Sequence, residues 1–138
     1  MCGIFGAVAT SKSNLDQKDL RKLILAFFRL SERRGKDASG VIAVGSESFE
    51  VYKSPVCASK MIQTKYFSEV LDNALKRYDE GESFCVSGHT RMVTGGSERY
   101  SHNNQPILKD EMALLHNGII VNDKILWSST TNLKREFE

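Results

Sequence analysis

At 138 residues the chain is long enough for one domain with a real hydrophobic core. Its composition, 41% hydrophobic and 26% charged, is that of a globular protein. With 19 basic and 17 acidic residues the net charge is only +2, which gives no case for nucleic acid or a membrane surface as partner. The apolar stretches fall far short of the roughly 20 residues that span a bilayer. No basic region precedes an apolar run at the start. Cys2, Cys57 and Cys85 are odd in number and widely spaced, which fits neither a disulfide framework nor a zinc pattern. The expectation is a reducing, cytoplasmic setting.

In chain order, residues 3–9 read as a buried strand. Residues 11–14 form a polar turn in which Ser13 or Asn14 can cap a helix. Leu15, Leu20, Leu23, Ile24, Phe27, Phe28 and Leu30 then recur at helical spacing to about Glu32. Residues 31–40 form a polar loop. Val41–Val44 and Phe49–Lys53, joined by a turn at 45–48, predict a hairpin. Pro55 breaks the chain. Ser59–Tyr78 reads as one helix, with Met61, Ile62, Phe67, Val70, Leu71 and Leu75 on its inner face. Ser83–Thr90 is a strand, and residues 94–105 are a long polar loop. Met112–His116 and Ile119–Val121 read as strands around an Asn117-Gly118 turn, and a further helix is expected to start within 124–138. This order argues for antiparallel sheet with packed helices.

The start of the chain carries the first candidate for chemistry. If Met1 is removed, Cys2 joins a thiol and a free α-amine on one residue. Their reference pKa values, about 8.5 and about 7.7–8.0, let the amine act as base for the thiol near neutral pH. Such a pair can attack an amide or ester carbonyl.

Four loops add to this. Residues 33–40 hold Arg34 and Asp37 among glycines. They are either a pocket wall fixed by an ion pair or a solvated turn after a helix. Residues 88–96 place Arg91 at a strand end before a Thr-Gly-Gly turn. A planar guanidinium there suits a carboxylate. His89 shares its face with Arg91 and reads as structural. Residues 102–106 (His-Asn-Asn-Gln-Pro) are a loop rich in amides. At 116–120 the Asn117 side-chain amide and the Gly118 backbone N–H offer two adjacent donors, as an oxyanion requires. The same dipeptide is also a common hairpin turn. His89, His102 and His116 show no metal-ligand spacing.

Taken together, these segments resemble the class II (N-terminal nucleophile, Ntn) glutamine amidotransferases. Met1-Cys2-Gly3-Ile4-Phe5-Gly6 is similar to their opening. Residues 34–40 resemble their Arg-Gly-x-Asp-x-x-Gly segment. Thr90-Arg91 with Thr94 and Gly96 resembles their His-Thr-Arg-x-x-Thr-x-Gly segment. Asn104-Gln105-Pro106, then residues 116–120 and Asn122, resemble the sequence around their oxyanion hole. The motifs fall in the family's order from residue 2 to residue 122.

The resemblance implies an α+β fold, the Ntn-hydrolase four-layer α/β/β/α sandwich with antiparallel sheets, incomplete in this chain. It implies that residues 1–138 are the N-terminal portion of a glutaminase domain. Cys2 would attack L-glutamine. Asn117 and Gly118 would hold the oxyanion. Arg91, helped by Thr94, would bind the α-carboxylate, and Arg34 and Asp37 would shape the entrance. No metal or cofactor is implied. An ammonia-accepting synthase domain or subunit is the expected partner, and a homo-oligomer is compatible. The family's Asp-Thr/Ser-Glu segment, whose Asp binds the substrate amine, has no counterpart here, and Lys36 departs from the family pattern. Sugar-phosphate, aspartate and phosphoribosyl pyrophosphate acceptors are all open: the wording at 89–91 and 116–120 leans to the first, while the loop at 34–40 is equally at home in the asparagine-synthesising branch. A non-catalytic binding or regulatory module of the same fold is the alternative.

Overall fold

The computed structural model describes residues 1–130. Strand β1 (Gly3–Ala9) leads into helix α1 (Gln17–Ser31), which ends in one 3-10 turn at Glu32–Arg34. Strands β2 (Ala38–Val44) and β3 (Phe49–Ser54) form the expected hairpin. Helices α2 (Ala58–Met61) and α3 (Lys65–Asp79) follow, then strand β4 (Phe84–Arg91). A short ribbon, β5 (Ile107–Lys109) with β6 (Met112–Leu114), precedes helix α4 (Asp123–Ser128).

Four strands make one antiparallel sheet in the order β1-β4-β2-β3. Helices α1 and α3 cover one face. Leu20, Ile24 and Phe28 of α1 lie four residues apart and are buried, as the 3.6-residue period requires. Phe67, Val70, Leu71, Ala74 and Leu75 do the same for α3. They close on Val41, Ala43, Phe84 and Val86 of the sheet. Phe28 sits at the centre, edge-on to Phe5 at 4.6 Å and to Phe67 at 5.1 Å. Gly88 makes room for this cluster, because a Cβ there would lie 2.3 Å from Phe5 Cζ. The opposite face is partly open, with Ile4 and Val8 of β1 and Val44 of β2 exposed.

The antiparallel α/β organisation follows the sequence, but four local details do not. Asp16, not Ser13 or Asn14, caps α1, its carboxylate accepting from the Asp19 N–H at 2.8 Å. Strand β2 starts at Ala38, inside the stretch read as loop, because Gly35 to Asp37 pack on the end of β4. The helix read as 59–78 is two helices. Thr64 takes extended backbone between them and caps α3 through the Phe67 N–H. The strand pair expected around Asn117-Gly118 does not form. Met112–Leu114 pairs backwards with Ile107–Lys109 instead, and Asp110, with φ of 50°, makes that turn. Residues 119–121 are not a strand. Of the helix expected within 124–138, Asp123–Ser128 is formed, and residues 131–138 lie outside the described residues. Among the described residues no helix is long and apolar enough to cross a membrane.

Candidate active site

Strand register gathers the candidate residues at one end of the sheet. Gly3 pairs with Thr90, Ser39 with Thr90 on the other side, and Ala38 with Arg91. Cys2, Asp37 and Arg91 therefore share a sheet end, just beyond or on the last rungs of the ladder. Glycine at position 3 lets β1 close against the end of α1. A Cβ there would lie 2.6 Å from the Thr90 hydroxyl, which donates to the Ser31 carbonyl at 2.7 Å.

Cys2 is half-buried. Its thiol lies 3.7 Å from the Met92 carbonyl oxygen, and its own carbonyl oxygen accepts two hydrogen bonds. One comes from Arg34 Nε at 2.9 Å and the other from Asn117 Nδ2 at 2.9 Å. Residues 32 and 115 positions away in sequence thus converge on one backbone atom. Met1 precedes Cys2, and its ammonium lies 3.0 Å from Met92 Sδ.

Arg34 and Asp37 do not pair with each other. Arg34 holds Cys2, while Asp37 ties down the segment after β4. The Asp37 carboxylate accepts from the Val93 N–H at 2.7 Å, and its own N–H donates to the Arg91 carbonyl at 3.0 Å. The polar loop after α1 is thus held by two separate anchors in place of one ion pair.

Arg91 is buried, with 8% exposure. Its guanidinium donates to Asn104 Oδ1 at 2.8 Å, the Gly95 carbonyl at 2.5 Å and the Gly96 carbonyl at 3.0 Å. It gathers the loop on which exposed Thr94 sits. Gly96 takes φ of 67° there, a left-handed conformation that glycine adopts without strain.

Asn117 and Gly118 follow β6 on exposed backbone. The His116 ring covers Gly118, with Nε2 3.0 Å from where a Cβ would stand. His89 lies beneath the site at 1% exposure, and neither ring nitrogen has a hydrogen-bond partner. Burial, and then the Arg91 charge, push its pKa down from 6.5 to about 4. Both causes favour the neutral imidazole. Among the described residues no group of three or more His, Cys, Asp or Glu is placed to hold a metal ion.

For two contributors the sequence marked the residue but not its partner. Asn104 is 1% exposed and bridges Arg91 to the Glu98 carbonyl, which its Nδ2 reaches at 2.6 Å. Gln105 grips the backbone of His116 through both atoms of its amide. The run of amides at 103–105 was the available signal, but a run of amides does not say which backbone it will hold.

No protein-family model matches the chain. By sequence, however, the chain is similar to several curated proteins. The relatives are glutamine–fructose-6-phosphate aminotransferases (isomerizing). That of Thermotoga maritima is 36% identical over 124 residues, 88% of this chain and 17% of its own length. Those of Pectobacterium atrosepticum and Sulfurisphaera tokodaii are 30% and 27% identical, over 91% and 100% of this chain and 18% and 21% of theirs. The chain spans about a fifth of the length of these curated relatives.

Proposed function

We propose that residues 1–138 form part of a glutaminase domain. It hydrolyses the side-chain amide of L-glutamine and supplies ammonia to an acceptor site in a separate synthase domain or partner chain. The meeting of Arg34 and Asn117 on the Cys2 carbonyl carries this reading, because it brings a candidate nucleophile and a candidate oxyanion donor together from opposite ends of the chain.

After loss of Met1, the freed α-amine of Cys2 takes the thiol proton. The thiolate sulfur attacks the carboxamide carbon of glutamine. One N–H of Asn117 stays on the Cys2 carbonyl, and the other, with the Gly118 backbone N–H, receives the oxyanion. The protonated amine then gives its proton to the departing nitrogen, and ammonia leaves. Water hydrolyses the γ-glutamyl thioester, releasing glutamate and restoring the thiol. Arg91 takes the substrate α-carboxylate in place of the Gly95 and Gly96 carbonyls that it now holds, with Thr94 alongside. Arg34 and Asp37 keep the entrance ordered. The scheme uses no metal or cofactor.

The complete fold in this proposal is the four-layer Ntn sandwich. The exposed Ile4, Val8 and Val44 side of the sheet is where a second sheet would pack, and β5–β6 would belong to it. That the relatives are fructose-6-phosphate aminotransferases favours a sugar phosphate as acceptor over aspartate or phosphoribosyl pyrophosphate. The setting is cytoplasmic in this proposal.

Intact mass before and after treatment with a glutamine-mimicking diazoketone tests the proposal. One adduct on Met1-free protein, lost in Cys2→Ala, is the expected result. A Met1-free protein that takes no adduct and releases no ammonia from glutamine would defeat the catalytic reading. A non-catalytic module of the same fold would then be left. Arg91→Lys is expected to raise KM for glutamine about tenfold or more while leaving the Cys2 adduct attainable at high reagent concentration.

A further inference from the structure

Gln105 holds His116 as a strand partner would. Its Oε1 accepts from the His116 N–H at 2.5 Å, and its Nε2 donates to the His116 carbonyl at 2.8 Å. A carboxamide presents the same donor and acceptor as a peptide group, so one side chain supplies both rungs of a missing ladder.

The position of this clamp gives it a consequence. Strand β6 ends at Leu114. Beyond it, His116 to Val121 are exposed and in no helix or strand. Asn117, next to the clamped residue, must put its Nδ2 on the Cys2 carbonyl at 2.9 Å.

The other end of the clamp is fixed to the sheet. Gly40 of β2 lets the chain at 105–106 pass so close that a Cβ there would lie 1.9 Å from the Gln105 carbonyl oxygen. Lys53 Nζ donates to the Pro106 carbonyl at 3.1 Å. Asn104, buried before Gln105, is held by Arg91 at 2.8 Å. A continuous run of contacts thus leads from the four-stranded sheet, through Gln105, to the backbone that carries Asn117 and Gly118.

We propose that Gln105 is a positioning residue for the oxyanion-binding segment 116–118, setting it against Cys2 from a base anchored on Gly40, Lys53 and Asn104. The role rests on the glutaminase reading above. It also joins two halves of that site, because Arg91, the proposed grip on the substrate carboxylate, holds Asn104, the neighbour of Gln105. Ordering 116–118 before substrate arrives serves a transition-state contact, since oxyanion donors act only when they need not reorganise.

The test uses Gln105→Met, which keeps length and volume but has no amide, and Gln105→Glu, which keeps the acceptor for the His116 N–H and loses the donor. Both are made in the full-length protein. Hydrogen exchange followed by mass spectrometry reads peptides covering 112–120, with β4 (84–91) as control. In Gln105→Met, exchange at 115–118 is expected to rise about tenfold or more with β4 unchanged. Gln105→Glu is expected to fall between it and the parent. Glutaminase kcat is expected to drop about 10- to 100-fold in Gln105→Met, with KM within about twofold. Unchanged exchange at 115–118, or a rise that extends equally to β4, would overturn the clamp. A raised KM with kcat retained would overturn the positioning role. If the parent protein itself gives neither turnover nor a Cys2 adduct, the glutaminase reading falls and the catalytic role of Gln105 falls with it. An active parent with unaltered Gln105→Met kinetics overturns Gln105 alone.

Discussion

Two donors meet on the Cys2 carbonyl oxygen, and they are not equivalent. Arg34 brings a full charge and a short loop anchored after α1, while Asn117 brings a neutral amide from a distant segment. Removing the charged donor takes away an interaction typically worth about 1.5–3 kcal/mol. Arg34→Ala is therefore expected to slow ammonia release from glutamine by about 10- to 100-fold, and Arg34→Lys to recover part of it. A steady-state assay of both variants checks this, and parental rates in Arg34→Ala would refute it. His89 makes a different prediction. Its folded-state pKa, about 4, lies below the ordinary 6.5. Between those values the unfolded chain binds the additional proton, so folding stability is present above about pH 6.5 and is lost as pH falls toward 4. Between pH 7 and pH 5 the loss is expected to be about 2 kcal/mol. Urea melts of parent and His89→Gln at both pH values read it, and equal pH dependence in the two would show that another group is responsible.

At the scale of elements, helices α1 and α3 matter because they hold the sheet whose end carries the site. Thr64 separates α2 from α3, and its hydroxyl both caps the Phe67 N–H at 3.3 Å and donates to the Met61 carbonyl at 2.7 Å. Thr64→Ala is expected to destabilise the fold by about 1 kcal/mol. Phe28→Ala, which would empty the centre of the aromatic cluster, is expected to cost about 3–5 kcal/mol. Chemical denaturation of both variants reads the difference, and an equal effect would mean that the cluster at Phe28 relaxes to fill the space. The β5–β6 ribbon shows why an apolar run alone does not place a strand. Met112–Leu114 was legible as β-structure, but its partner Ile107–Lys109 was not, because the three residues are too short to display a period. The left-handed Asp110 turn decides the pairing.

At the scale of the whole molecule, one face of the sheet is covered by helices and the other is partly bare. Ile4, Val8 and Val44 are exposed there at 43%, 73% and 41%, and Ile119, Val121 and Ile125 near the end of the described residues exceed 65%. Apolar surface of that kind is associated with contact to something else. Residues 1–138 produced by themselves are expected to self-associate at micromolar concentration. Val8→Lys with Val44→Lys is expected to shift the sedimentation profile toward monomer. A monomer peak from the parent chain would count against this expectation.

The amphipathic periods of α1 and α3, the β2–β3 hairpin and the antiparallel character of the sheet could be read from residue pattern alone. These are local properties, set by spacing along the chain. So could the kinds of group at the site: an early cysteine, an arginine at a strand end and an asparagine beside a glycine. The partner of each group could not be read. Arg34 and Asp37, three residues apart, looked like a pair, yet one holds Cys2 and the other holds Val93. Arg91 looked like an open hand, yet it closes on Asn104 and on two loop carbonyls. Gln105 was marked by its motif but not by its partner, and it supplies the backbone of His116 with both a donor and an acceptor. Residue types and spacing determine which donors and acceptors are available. Only the register of β1, β4 and β2, together with the close passage of the chain over Gly40, decides which of them come within 3 Å of one another.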